Sequence, residues 1–233
     1  MSARPSMPLL LPALACAMGA GPFSTQILGP ALPGMIADLD APVWAGQLAL
    51  SGGLAAIAAA TLVYGVAADR FGRRPALLWG QAAFALGSLG GALAASLDAL
   101  ILARVLQSAG AAAGLALARP ILIDVYGPGG AAKRFTALLA AMVIAPMIAP
   151  AVGGLVSDVY GWRATFIVSL IFALGLALAL AVGAPETRRP TPGARRRSLW
   201  ADAKVLFGFP AFRGYAAVGS LALGVFFAFV GAA

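Results

Sequence analysis

The chain has 233 residues, 61% of them hydrophobic and 10% charged, with a mean hydropathy of +0.93. So few ionisable groups cannot cover a soluble globule, and the composition places the chain in a bilayer. One cysteine excludes an intrachain disulfide within these residues, and the lack of histidine excludes an imidazole metal site or proton relay. A net charge of +8 would suggest nucleic acid in a soluble protein, but the basic residues lie between apolar runs, so no nucleic acid is expected.

Stretches free of Asp, Glu, Lys and Arg cover 5–37, 41–68, 75–97, 135–157, 164–185 and 214–233. Each supplies the roughly 20 residues that an α-helix needs to cross the hydrocarbon layer. A further run, 100–123, is interrupted only by Arg104 and Arg119; it is read as a helix because leaving it out disturbs both the order of spans and the charge pattern. The sequence therefore predicts an all-α membrane protein with seven transmembrane helices. The alternating polarity of membrane strands is absent from these continuous runs. Arg4 ahead of an apolar core and the small residues of "ALACA" could mark a signal peptide, but the apolar run continues about twenty residues further without a polar mature start, so an uncleaved first helix is expected.

With the N-terminus cytoplasmic, Arg4, Arg70, Arg73, Arg74, Lys133, Arg134, Arg188, Arg189, Arg195, Arg196, Arg197, Lys204 and Arg213 all fall inside. Arg163 is then the one basic residue in an outer loop, where Asp38, Asp40, Asp98 and Asp158 also fall. The positive-inside rule selects this orientation.

Two loops share a skeleton. "GVAADRFGRR" at 65–74 and "GLVSDVYGWR" at 154–163 align Gly65 with Gly154, Asp69 with Asp158, Phe71 with Tyr160, Gly72 with Gly161 and Arg74 with Arg163. One joins the second and third spans on the inside, the other the fifth and sixth on the outside. This predicts a 3+3 inverted repeat, an architecture of secondary transporters. The Pro- and Arg-rich "ETRRPTPGARRRSLWADAK" follows the sixth span. Residues 1–185 are thus expected to form a six-helix bundle, 186–211 a basic cytoplasmic linker, and 212–233 the first helix of an incomplete second bundle. The aromatic and basic segment 200–212 suits the headgroup region, or acts only as a charged stop that sets topology.

Four motifs carry a family resemblance: "GVAADRFGRRP", "RVLQSAGAAAG", "APMIAPAVGG" and "ILGPALPGMIADL", with "PET" at 185–187 closing the sixth span. Together they resemble the major facilitator superfamily, and more narrowly its drug:proton antiporter branch of bicyclomycin and chloramphenicol resistance proteins. That family has about twelve spans in two six-helix halves, so a chain ending at Ala233 is expected to be a fragment or a truncated frame. The resemblance implies a secondary transporter in the bacterial inner membrane, exporting small amphipathic drugs or metabolites by alternating access and proton antiport. It implies no enzymatic chemistry, cofactor or metal; the partners are a small-molecule substrate, protons, the lipid bilayer and the missing C-terminal bundle. A metabolite importer or facilitator, and a non-transporting truncated membrane protein, remain alternatives.

Within the signature loop, Gly65 and Gly72 suit close helix approach and a tight turn. Topology explains Arg70, Arg73 and Arg74 but not Asp69, which is expected to be a bonded partner; the resemblance implies that this loop latches the two halves of the transporter. Arg104, six residues beyond Asp98, is either a snorkelling cation or, as the resemblance implies, a proton-coupling residue, with Gln107 and Gly110 following along one helix face. Arg119 is expected to snorkel or to pair with Asp124. Pro146 and Pro150 each remove a backbone donor and are expected to bend the fifth span, while Gly153 and Gly154 let another helix approach. Gln26, Pro30 and Gln107 are substrate-pathway candidates. Relatives of this branch often carry an acid where Gln26 stands; an amide cannot release a proton, so proton coupling from this half lacks its usual group.

Overall fold

The computed structural model describes residues 8–187 together with 205, 207–215, 217, 218, 220 and 221, and the regular structure among them is entirely α-helical. The chain divides into two compact units, Met1–Arg188 and Arg189–Ala233. In the first unit the helices are α1 (Leu10–Gln26), α2 (Leu32–Asp38), α3 (Val43–Phe71), α4 (Arg73–Ala92), α5 (Leu97–Tyr160) and α6 (Arg163–Gly183).

The first apolar run is not one helix. α1 stops at Gln26 and α2 restarts at Leu32, and the chain between them is held by tight bonds from the Gly29 amide to the Gln26 carbonyl (3.3 Å) and from the Ala31 amide to the Leu28 carbonyl (3.0 Å). Pro30 is the cause: it has no amide hydrogen and disfavours helical geometry at the residue before it. Hydropathy alone hides such a break, since every residue of it is apolar or small.

α5 is the reverse case, two spans carried on one assigned helix. A continuous helix of 64 residues would extend about 96 Å. It divides instead at Gly127, whose φ of 72° and ψ of 169° leave the helical region, and Pro128 opens the second arm where a missing amide hydrogen costs nothing. The arms, 97–126 and 128–160, match the expected fourth and fifth spans. Backbone angles remain helical through Pro120, Pro146 and Pro150, so the bend expected at the last two is not a break in the helix.

α5 organises the unit: α1, α3 and α4 pack on it, and α6 packs chiefly on α4. The core runs from Leu10, Leu14 and Ala17 through Leu77 and Phe84 to Leu176 and Leu180, lined mainly by Ala and Leu. Small residues set the spacing. A side chain at Gly114 would overlap the Ala17 carbonyl of α1, and one at Gly110 would overlap the Phe84 amide of α4. The outward faces are apolar: Leu62, Val63, Met147, Leu155, Leu178 and Val182 are each more than 60% exposed. This is the opposite of a soluble bundle and suits contact with lipid. By length and composition, α3 from Gly46, α5 and α6 are long and apolar enough to cross a membrane.

In the second unit, residues 210–215 are helical, the Arg213 amide donates to the Phe209 carbonyl (3.2 Å), and Phe207 meets Phe212 edge-on at 5.4 Å. Residues 188–204 of the expected linker and 222–233 of the expected seventh span lie outside the described residues.

Candidate functional site

Three polar assemblies stand out in this apolar unit. The first is the signature turn. α3 ends at Phe71, Gly72 turns the chain with φ of 106°, and α4 begins at Arg73. The four leading amides of a helix lack intrahelical acceptors and carry the positive end of its dipole. Glu186 answers both: its Oε1 accepts from the Arg73 amide (3.1 Å) and its Oε2 from the Arg74 amide (3.2 Å). The Arg73 guanidinium pairs with Asp124 near the end of the first arm of α5, and Arg74 donates to the Ala181 carbonyl of α6. Arg70 stacks over Phe71 at 5.0 Å.

Two expectations change here. The acids that meet these arginines are Asp124 and Glu186, whereas Asp69 is exposed and makes no ion pair among the described residues. Among the described residues Gly65 has nothing within 4 Å of where a side chain would begin and meets no neighbouring helix; a Cβ on Gly72 would stand 2.5 Å from the Glu186 carboxylate. Arg119 does not take Asp124 either, because Arg73 does; it lies over the Phe135 ring at 5.3 Å.

The second assembly lies at the turn into α6. Gly161, with φ of 78°, ends α5, and Arg163 opens α6. Arg163 pairs with Asp38 at the end of α2, stacks over Trp162 at 4.2 Å and donates to the Ala94 carbonyl just past α4 (3.0 Å). The Trp162 indole donates to the same Asp38 oxygen (3.1 Å). These bonds hold the Asp38 carboxyl below its ordinary pKa, the Arg163 hydrogen bond first and the Trp162 bond second. A cavity of about 490 Å³ opens beside them, lined in part by Pro30, Gly34, Asp38, Asp158 and Tyr160.

The third is interior. Arg104 is 1% exposed, so it does not snorkel to an interface. Its guanidinium donates to the Ser24 carbonyl of α1 (3.0 Å) and to Gln107 Oε1; Gln107 Nε2 donates to Ser88 Oγ (2.8 Å), which donates to the Phe84 carbonyl (2.8 Å). Gln107 is therefore a buried bridge between α5 and α4, with no surface to offer a substrate. Arg104 Nε and Nη2 and Ser108 Oγ have no hydrogen-bond partner among the described residues, and no carboxylate pairs with the charge. A buried, unpaired cation costs several kcal/mol. Gly53 of α3 leaves the room: its missing Cβ would sit 2.6 Å from Ser108 Oγ and 3.6 Å from Arg104 Nη2.

The antiporter-motif helix meets the broken first span. A side chain on Gly153 would overlap the Ile27 carbonyl at the end of α1, and Gly154 faces Pro30 at 3.9 Å. Gln26, half-buried, closes α1 one residue before this contact.

Compared with known proteins, residues 14–233 match the model of the Major Facilitator Superfamily. The chain belongs to that superfamily. It is 32% identical over 206 residues to multidrug resistance protein D of Escherichia coli K12, covering 88% of this chain and 52% of that protein. Against the chloramphenicol resistance protein of Pseudomonas aeruginosa it is 35% identical over 163 residues, covering 68% and 38%. The chain thus spans about half the length of the curated relatives it matches, or less. Its fold matches the human organic anion transporter MFSD10 with a TM-score of 0.63 at 19% identity, covering 79% of this chain and 49% of that one. A peptide transporter in complex with sulfate gives 0.67 at 18%, covering 95% and 46%.

This major facilitator chain is accordingly a transporter sequence and not an enzyme. Glu186, Asp124, Asp38 and Trp162 were not singled out as site residues from the sequence. Only Glu186 left a usable signal, an acid directly after an apolar span in a segment otherwise rich in arginine.

Proposed function

We propose that the protein containing this chain exports small amphipathic compounds across the bacterial inner membrane by alternating access, driven by proton antiport. Residues 1–185 form its six-helix N-terminal bundle with the N-terminus cytoplasmic, 186–211 its basic linker, and 212–233 the first helix of the second bundle. The observation that carries this reading is the relationship to multidrug and chloramphenicol resistance transporters over most of the chain. An almost uncharged bundle interior agrees with it, because apolar walls suit lipophilic cargo better than polyanions.

The signature turn, with Gly65, Asp69, Arg70, Gly72, Arg73 and Arg74, acts as the cytoplasmic gate, and the Arg73 to Asp124 pair is its closed form. Arg104 is the coupling residue: its unpaired guanidinium nitrogens favour any arrangement that brings an acceptor or a carboxylate to them. Gln26 and Pro30, at the break in the first span, stay candidates for the substrate path. The Pro146, Pro150, Gly153 and Gly154 helix seals against that break.

Drug accumulation in cells expressing the whole protein tests the reading. Export that stops when an uncoupler collapses the proton gradient supports antiport. Downhill uptake that survives the uncoupler identifies a facilitator, and no transport in either direction refutes the proposal.

A further inference from the structure

The two charged turns are related by exchange of the repeats. Arg74 at the start of α4 bonds the Ala181 carbonyl near the end of α6, and Arg163 at the start of α6 bonds the Ala94 carbonyl just past the end of α4. α4 and α6 run antiparallel, each clasped by the first turn of the other. The acids follow the same rule. Asp124, near the end of the fourth expected span, pairs with Arg73 at the start of the third; Asp38, at the end of the first, pairs with Arg163 at the start of the sixth. Inversion of the triplets exchanges the first span with the fourth and the third with the sixth, which carries one contact between an acid and a helix start onto the other, with Trp162 at the position of Arg73 and Arg163 at that of Arg74. The acids that align in sequence, Asp69 and Asp158, are both exposed and make no ion pair among the described residues.

We propose that Asp38, Trp162 and Arg163 form a second latch, on the face opposite the signature turn, which positions α2 as the movable wall of the cavity beside it. α2 is built for this. It is seven residues long, joined to α1 through the Pro30 break, and runs beside α3, while its Met35 side chain reaches Leu100 of α5 and Phe166 of α6. At its far end the side-chain attachment is Asp38, which reaches across the chain to Trp162 and Arg163. Trp162 is buried with Met35 of α2 in a small apolar cluster, so opening the latch also separates that packing. Asp158 lines the same cavity, has no ion-pair partner among the described residues, and adds a second negative group for Arg163 when Asp38 leaves. Asp38, Trp162 and Arg163 are positioning residues; none is assigned a substrate contact. Their effect on transport rests on the export reading, whereas their effect on α2 does not.

The test uses a cysteine-free form of the whole protein, including Cys16→Ser, that carries Met35→Cys on α2, a position 1% exposed in the cluster that separates when the latch opens. Labelling by a membrane-impermeant maleimide in intact cells reports the exposure of α2. Loss of a charge-assisted bond by Asp38→Asn or Arg163→Gln is expected to raise the labelling rate about three- to tenfold, and Asp38→Glu to restore it. Trp162→Phe, which removes only the indole donor, gives a smaller rise in the same direction. In export assays the latch variants lower kcat with KM retained. Labelling rates in Asp38→Asn and Arg163→Gln equal to those of the parent, in protein with an unchanged apparent Tm, overturn the latch. Raised labelling in a protein that exports nothing upholds the latch and refutes the export reading instead.

Discussion

Replacing Gly72 with alanine should do far more damage than replacing Gly65, although both belong to the same signature loop. At Gly72 the backbone sits at φ 106° and ψ 156°, a region open essentially to glycine alone, and holding another residue there costs about 1–3 kcal/mol. The new Cβ would stand 2.5 Å from Glu186 Oε2 and displace the carboxylate that caps α4. Losing such a cap costs about 0.5–2 kcal/mol. The two together come to roughly 2–4 kcal/mol, and at about 2–4 °C per kcal/mol for a unit of this size the apparent Tm falls on the order of 10 °C. Gly65 lies inside α3 with open space beside it, so alanine there gains up to ~1 kcal/mol of helix propensity and leaves Tm equal or slightly raised. Thermal unfolding of the purified protein in one detergent measures both. Gly72→Ala and Glu186→Ala should also be non-additive, since each removes the same cap. If Gly72→Ala melts within about 2 °C of Gly65→Ala, the capping argument is wrong.

Arg104→Lys keeps the charge but loses the planar fork that reaches Ser24 and Gln107 together; export should fall about tenfold or more with insertion unchanged, and parental export would remove Arg104 from the mechanism. Gln107→Leu leaves Ser88 Oγ without its donor and Arg104 with the Ser24 carbonyl alone, a loss of about 1–3 kcal/mol visible in the same melting assay. Gly153→Val should open the contact at the α1 break at a cost of about 1–3 kcal/mol from overpacking, whereas Gly154→Ala should be tolerated. The Asp38 pKa is lowered by folding, so the carboxylate stabilises the protein fully above its unfolded value and that contribution is lost only as pH falls through the lower folded value. The difference in Tm between parent and Asp38→Asn should stay constant over about pH 5 to 8 and shrink below about pH 4. A change within the neutral range would refute the assignment of this pH dependence to Asp38.

Much of the fold was legible because it follows from local rules. The apolar runs marked the helices. Arg104 was legible as a residue of interest because a charge within an apolar run has so few places to go. Pairings across the chain were not. Arg73 could have met Asp69 four residues away as readily as Asp124, and nothing in the order of residues brings Asp38 to Arg163 at a separation of 125. The break in the first span also escaped detection, since proline at that point interrupts hydrogen bonding without lowering hydropathy.

The cap on α4 also imposes an order on synthesis. Arg73 and Arg74 leave the ribosome 113 and 112 residues ahead of Glu186, an interval of about 6–20 s at roughly 5–20 residues per second. For that time two guanidinium groups and the free amides of α4 sit at the membrane surface with their acceptor not yet made, and Asp124 arrives only about halfway through. Water satisfies these donors in the meantime. The start of α4 is therefore completed by a residue that follows α6, and it sets firmly only once α6 has been made.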